Sequence, residues 1–109
     1  MTALLFVAQR LSAAVLAVAV SIHLAVIIYA VRGGLTATEV LGRTRGNGWF
    51  LALYVVFVVA VAIHAPIGLR TIAREWTPWR GRAVDAAVAA FAALLLGLGL
   101  TAALAVFLP

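Results

Sequence analysis

Three long apolar stretches dominate the sequence and leave few folds open to it. They cover about residues 9–32, 48–71 and 82–108. Each is near the ~20 residues that an α-helix needs to cross the hydrocarbon core of a bilayer. A transmembrane β-barrel would show alternation in segments of ~10 residues, and these stretches do not alternate. We therefore predict an all-α membrane protein, with three transmembrane helices forming one up-down-up bundle over residues 1–109.

The composition supports a membrane protein and excludes several other classes. Hydrophobic residues make up 67% of the 109 residues, and the mean hydropathy is +1.23. A domain this small buries too little of its surface to hide so many apolar side chains from water. The absence of cysteine excludes disulfides and thiolate metal ligands from this chain. The net charge of +5 comes from arginines, which we assign to a membrane surface, so no nucleic-acid partner is expected.

Arginines are unevenly distributed between the two ends of the predicted bundle. One end carries five of them, Arg10, Arg70, Arg74, Arg80 and Arg82, and the other carries three, Arg32, Arg43 and Arg45. An excess of positive charge in short loops marks the cytoplasmic side of a membrane protein. We therefore predict that the N-terminus and the second linker, which joins the second span to the third, are cytoplasmic.

The only two histidines, His23 and His64, both lie inside predicted spans. Ionisable side chains within membrane helices are rare and usually mark a functional site. An imidazole can ligate haem iron, relay protons, or only hydrogen-bond between helices. A proton relay normally includes a carboxylate, and none lies well inside a span. The pattern favours haem, while a haem-free packing or assembly subunit and a small proton-conducting subunit remain alternatives.

The two histidines are predicted to lie at different depths in the membrane. At a rise of ~1.5 Å per residue, His23 is ~18 Å from the inner end of the first span and His64 is ~8 Å from the inner end of the second. Two ligands of one upright haem should lie at similar depths. We therefore expect each histidine to serve a different iron, with the other axial ligand supplied by a second membrane chain, either a copy or a relative.

Two motifs resemble a known family. The stretch "RLSAAVLAVAVSIH" in the first span and "HAPIGLR" at the end of the second resemble the membrane-anchor cytochrome b subunits of succinate dehydrogenase and fumarate reductase. Those subunits commonly begin their first span with an arginine and a serine, as Arg10 and Ser12 do. They often end a later span with a histidine, a glycine and an arginine, as His64, Gly68 and Arg70 do. The resemblance covers about two thirds of the chain.

The resemblance implies a haem b subunit that passes electrons without being the catalytic subunit itself. His64 would hold a haem nearer the cytoplasm and His23 one nearer the outer face, with Arg10, Ser12 and Arg70 as further contacts to haem or quinone. The implied partners are a flavoprotein, an iron–sulfur subunit and a second membrane subunit. The implied location is the cytoplasmic membrane of a bacterium, where the complex would meet the quinone pool.

The sequence departs from the family pattern in two places, and the second concerns the quinone site. Ala13 follows the serine where the family often has glycine. The segment "TIAREWTPW" lacks the aspartate and tyrosine that many members carry shortly after the arginine, and that help to form the quinone pocket in some of them. The sequence thus supports a haem site more strongly than a quinone site.

Overall fold

Four helices make up the described part of the chain, and three of them are long. The computed structural model describes residues 2–109, in which the helices are α1 (Ala3–Gly33), α2 (Ala37–Thr44), α3 (Gly48–Trp76) and α4 (Arg82–Phe107). No strand occurs within this range. The helices α1, α3 and α4 are each long and apolar enough to cross a membrane. The predicted all-α fold with three spans is confirmed.

Two of the long helices extend beyond the apolar stretches that predict them. Helix α1 begins at Ala3 rather than near residue 9, and Thr2 caps it by accepting a hydrogen bond from the Leu5 amide at 3.2 Å. Helix α3 continues past residue 71 to Trp76. Both extensions lie at the end predicted to be cytoplasmic. Hydropathy measures the apolar part of a helix, and the backbone can stay helical beyond it in the polar headgroup region.

The first linker, which joins α1 to α3, contains a short helix that the apolar pattern does not predict. Thr36 caps α2 by accepting a hydrogen bond from the Glu39 amide at 3.2 Å, and the Thr36 hydroxyl also contacts the Glu39 carboxylate at 2.6 Å. A threonine three residues before a glutamate is typical of a helix start. The end of this linker is tied to the bundle, because the Gly46 amide donates to the carbonyl of Phe107 at 2.9 Å.

Helix α3 is the centre of the bundle and packs against both α1 and α4, which make few contacts with each other. The residues buried at these contacts are mostly small, as expected where close backbone approach drives helix association in lipid: Ser12, Ala19, Ala60, Pro66, Val84 and Ala103. At Gly99 a β-carbon would lie 2.5 Å from the side chain of Val58, so this glycine lets α4 approach α3 closely. Because α3 packs against α1, side chains of these two helices can contact each other across their interface.

Candidate functional site

His64 lies in a small polar contact between α3 and α1. Its Nδ1 atom is 3.4 Å from the hydroxyl oxygen of Ser12, which is only 5% exposed. The same hydroxyl donates to the backbone carbonyl of Gln9 at 3.1 Å. We call Gln9, Ser12, His64 and Gly68 the inner cluster.

The side chain of Gln9 completes the inner cluster and leaves one hydrogen bond unmade. A β-carbon on Gly68 would lie 3.4 Å from Gln9 Nε2, so Gly68 leaves room for this amide. The Oε1 atom of Gln9 is buried and has no hydrogen-bond partner among the described residues. A buried acceptor without a partner costs ~1–3 kcal/mol, so a donor from water or from a bound molecule would stabilise this position.

His23 lies in surroundings of a different kind. Its ring centroid is 5.6 Å from that of Phe57 and 6.4 Å from that of Tyr54, and the rings of His23 and Tyr54 are nearly perpendicular, at 80°. Together with these two aromatic residues of α3, the imidazole lines a cavity of about 340 Å³. We call this the outer cavity. Its remaining lining comes from α2, α3 and α4 and is almost entirely apolar: Val40, Thr44, Val58, Gly99, Ala102, Ala103 and Val106.

The two histidines lie at different levels along the bundle, as their spacing predicts. The contact with His64 makes Ser12 a marker of its level on α1. His23 is eleven residues further along α1, which corresponds to ~16 Å. On α3, Phe57 marks the level of His23 and is seven residues from His64, or ~10 Å. A haem lying upright between the helices would therefore not reach both imidazoles of one chain.

The two arginines predicted to contact a cofactor have other partners. Arg70 Nε donates to Asp85 Oδ1 at 2.8 Å, and this ion pair joins α3 to the first turn of α4. Arg10 is exposed, and its guanidinium lies 5.9 Å from the centre of the Phe6 ring. Of the predicted site residues, the structure therefore brings Ser12 and His64 together.

The comparison with protein families identifies the chain. The family model of the succinate dehydrogenase/fumarate reductase transmembrane subunit matches residues 1–106, which include both histidines. The chain belongs to this family. No curated protein and no solved structure matches it. Membership, together with three apolar helices, makes this transmembrane subunit a multi-pass membrane protein that works with partner subunits.

The residues of this transmembrane subunit fit a haem in donor type and in surroundings. Among residues 2–109 there is no group of three or more histidine, cysteine or acidic side chains that could hold a bare metal ion. A haem needs only axial ligands from the protein, because the macrocycle supplies the others. The outer cavity gives one imidazole beside an apolar space, and the inner cluster gives a second imidazole at another level.

Proposed function

We propose that this transmembrane subunit carries haem b and passes electrons between the iron–sulfur subunit and the quinone pool. It would do so as the membrane anchor of a succinate dehydrogenase or fumarate reductase complex. The observation that carries the proposal is the pair of half-buried imidazoles at two levels of the bundle, one of which lines the outer cavity. When bound, haem iron supplies one-electron redox chemistry.

His23 and His64 would each provide one axial nitrogen to a different haem. The apolar lining around His23 would exclude water from its iron, and burial of this kind is one of the means by which a protein tunes haem. The second axial ligand of each iron would come from another membrane chain, because the two levels are too far apart for one chain to complete either site. That chain is a copy of this subunit or a relative.

The oligomeric state tests this requirement directly. We expect the haem-loaded protein, purified in detergent, to contain at least two membrane chains by mass. A lone chain with one haem held by both His23 and His64 would contradict the proposed separation of the two sites.

The proposed orientation puts the N-terminus in the cytoplasm, with the arginine-rich second linker on the same side. The exposed Trp76 is the last residue of α3 and the exposed Trp79 lies within this linker, as expected for aromatic rings that settle at the membrane surface. The flavoprotein and the iron–sulfur subunit would dock on this side. A reporter enzyme that is active only outside the cytoplasm should be active when it is fused after Pro109. Activity of a reporter that works only in the cytoplasm, fused at the same position, would refute the orientation.

The proposal also includes contacts to quinone. Ser12, Arg10 and Arg70 are the candidates for contact with quinone oxygens. The ion pair between Arg70 and Asp85 would have to remain intact or be exchanged when quinone binds, since Arg70 donates to Asp85 in the structure.

A visible difference spectrum tests the haem. We expect reduced-minus-oxidised spectra of the purified complex to contain low-spin b-type bands. A variant with both His23→Ala and His64→Ala should lose these bands. The matched control is Ser21→Ala, because the Ser21 hydroxyl donates at 2.8 Å only to Ala17 of its own helix. Bands that persist unchanged in the double variant would refute the proposal.

The second candidate is a haem-free packing subunit, and one observation favours it. Each imidazole already contacts a neighbouring helix, His64 through Ser12 and His23 through Phe57 and Tyr54. If the histidines serve packing alone, the wild-type complex will lack b-type bands and the double variant will lose only stability.

A further inference from the structure

The hydroxyl of Ser12 has one proton and two polar neighbours. Its oxygen is 3.1 Å from the Gln9 carbonyl oxygen and 3.4 Å from His64 Nδ1. A serine hydroxyl can donate one hydrogen bond and accept others. The carbonyl of Gln9 can only accept, so the contact at 3.1 Å uses the proton of Ser12. The oxygen of Ser12 is then left to accept a hydrogen bond from the Nδ1–H of His64.

We propose that Ser12 is a positioning residue that holds His64 in the tautomer protonated on Nδ1, which leaves the lone pair on Nε2 free to coordinate a metal as an axial ligand. A neutral imidazole carries only one N–H. The hydrogen bond made by one ring nitrogen determines which nitrogen is free to bind a metal. The inference rests on the proposed function for the identity of that metal, haem iron. The tautomer itself is a property of the chain and can be measured without haem.

The opposite arrangement has the opposite consequence. If Ser12 donated to Nδ1, the proton of the neutral ring would lie on Nε2, and Nε2 could not coordinate iron. The shorter of the two contacts favours donation to Gln9. Burial of Ser12 also limits replacement of its hydroxyl by water, since the residue is 5% exposed.

Nuclear magnetic resonance of nitrogen reports this tautomer directly. The full chain, free of haem and labelled with ¹⁵N-histidine, would be measured in lipid bilayers at neutral pH. A His23→Asn background leaves His64 as the only imidazole. We expect the ring shifts of His64 to show a protonated Nδ1 and an unprotonated Nε2. A ring protonated on Nε2, or an even mixture of both tautomers, would overturn the proposal.

Three substitutions on α1 make the test specific to the hydroxyl of Ser12. We expect Ser12→Ala to shift the ring toward a mixture of tautomers. Ser12→Thr should keep Nδ1 protonated because it retains the hydroxyl. Ser21→Ala should leave the tautomer unchanged because Ser21 bonds only to its own helix. A tautomer that does not change in Ser12→Ala would overturn the proposal. If that variant does not fold, the measurement on the Ser12 protein still decides between the tautomers.

Haem titration of the complex separates this inference from the proposed function. Loss of a partner that orients a ligating histidine typically costs 10–100-fold in metal affinity. We expect Ser12→Ala to weaken binding of the haem at His64 by about 10–100-fold, and Ser21→Ala to leave it unchanged. If the Nδ1-protonated tautomer is found but no haem binds, the proposed function fails and the role of Ser12 in fixing the tautomer stands. If haem binds with equal affinity in Ser12→Ala, the role of Ser12 fails and the proposed function stands.

Discussion

The inner cluster and the outer cavity hold the same kind of side chain in two different ways. The Nδ1 atom of His64 contacts the hydroxyl of Ser12 on the neighbouring helix. His23 lies beside aromatic rings and lines an apolar space. If Ser12 positions His64 as proposed, orientation at the inner cluster depends on a single hydroxyl, whereas orientation at the outer cavity depends on the volume and shape of its lining. Polar substitutions should affect the inner site most, and changes of volume should affect the outer one.

The largest effect should come from removing each histidine separately. Because the imidazoles lie at different levels, we expect His64→Ala to abolish one haem signal and retain the other, and His23→Ala to do the reverse. Redox titration followed in the visible spectrum would resolve the two components. If either single substitution removes all haem, the two sites are not independent, and the comparison between them fails.

A smaller effect should follow from filling the space between α3 and α4. A β-carbon at Gly99 would lie 2.5 Å from the side chain of Val58, so Gly99→Ala must displace that side chain or separate α3 from α4. Overpacking of this kind typically costs ~1–3 kcal/mol. Unfolding of the detergent-solubilised protein by denaturant would measure this loss. Since Gly99 lines the outer cavity, the haem proposed at His23 should be perturbed and the one proposed at His64 should not.

The same helix offers a matched control for Gly99. A β-carbon at Gly97 would meet nothing within 4 Å. Gly97→Ala should therefore be neutral, or should stabilise α4 by up to ~1 kcal/mol through helix propensity. Equal destabilisation by the two substitutions would show that the close approach at Val58 is not the cause.

The aromatic contact of His23 should contribute less. Phe57→Leu keeps an apolar side chain but removes the ring beside the imidazole, and such ring pairs contribute ~0.5–1.5 kcal/mol beyond their buried area. We expect a loss of about that size in the free energy of unfolding. Phe91→Leu is the control, because the ring contacts found among residues 2–109 do not include Phe91. An equal loss of unfolding free energy in the control would show that the contact between Phe57 and His23 makes no contribution of its own.

The smallest effect should come from the ion pair between α3 and α4. Arg70 is 21% exposed and Asp85 is 56% exposed, so water and salt screen their attraction. Partly exposed pairs typically contribute ~0–1 kcal/mol. We expect Asp85→Asn to cost no more than this in unfolding measurements at low salt, and less at high salt. A loss above about 2 kcal/mol would mean that the pair is buried against a partner subunit.

The sequence predicts the spans and the different levels of the histidines because both depend on distances along a helix. A rise of ~1.5 Å per residue converts the positions of His23 and His64 into depths without knowledge of any neighbour. The contact between Ser12 and His64 also depends on the rotation and register of α1 against α3. Nothing in either apolar stretch determines that rotation, so Ser12 was predicted as a site residue without its partner.

Other parts of the site depend on contacts between distant segments in the same way. Tyr54 and Phe57 are three residues apart and so share one face of α3, but the sequence does not indicate that His23 lies against that face. The ion pair between Arg70 and Asp85 joins residues of two different helices, so the sequence does not indicate it either. The start of α2 was predictable, since Thr36 and Glu39 have the spacing of a helix cap.

The hydrogen bond from Gly46 to Phe107 sets an order of events during synthesis. Phe107 is about sixty residues later in the chain than Gly46, and ribosomes add ~5–20 residues per second. For ~3–12 s after the first linker is translated, its acceptor does not yet exist. The Gly46 amide can make this hydrogen bond only after the last helix has been synthesised, so an insertion intermediate with two spans lacks this tie between the first linker and the bundle.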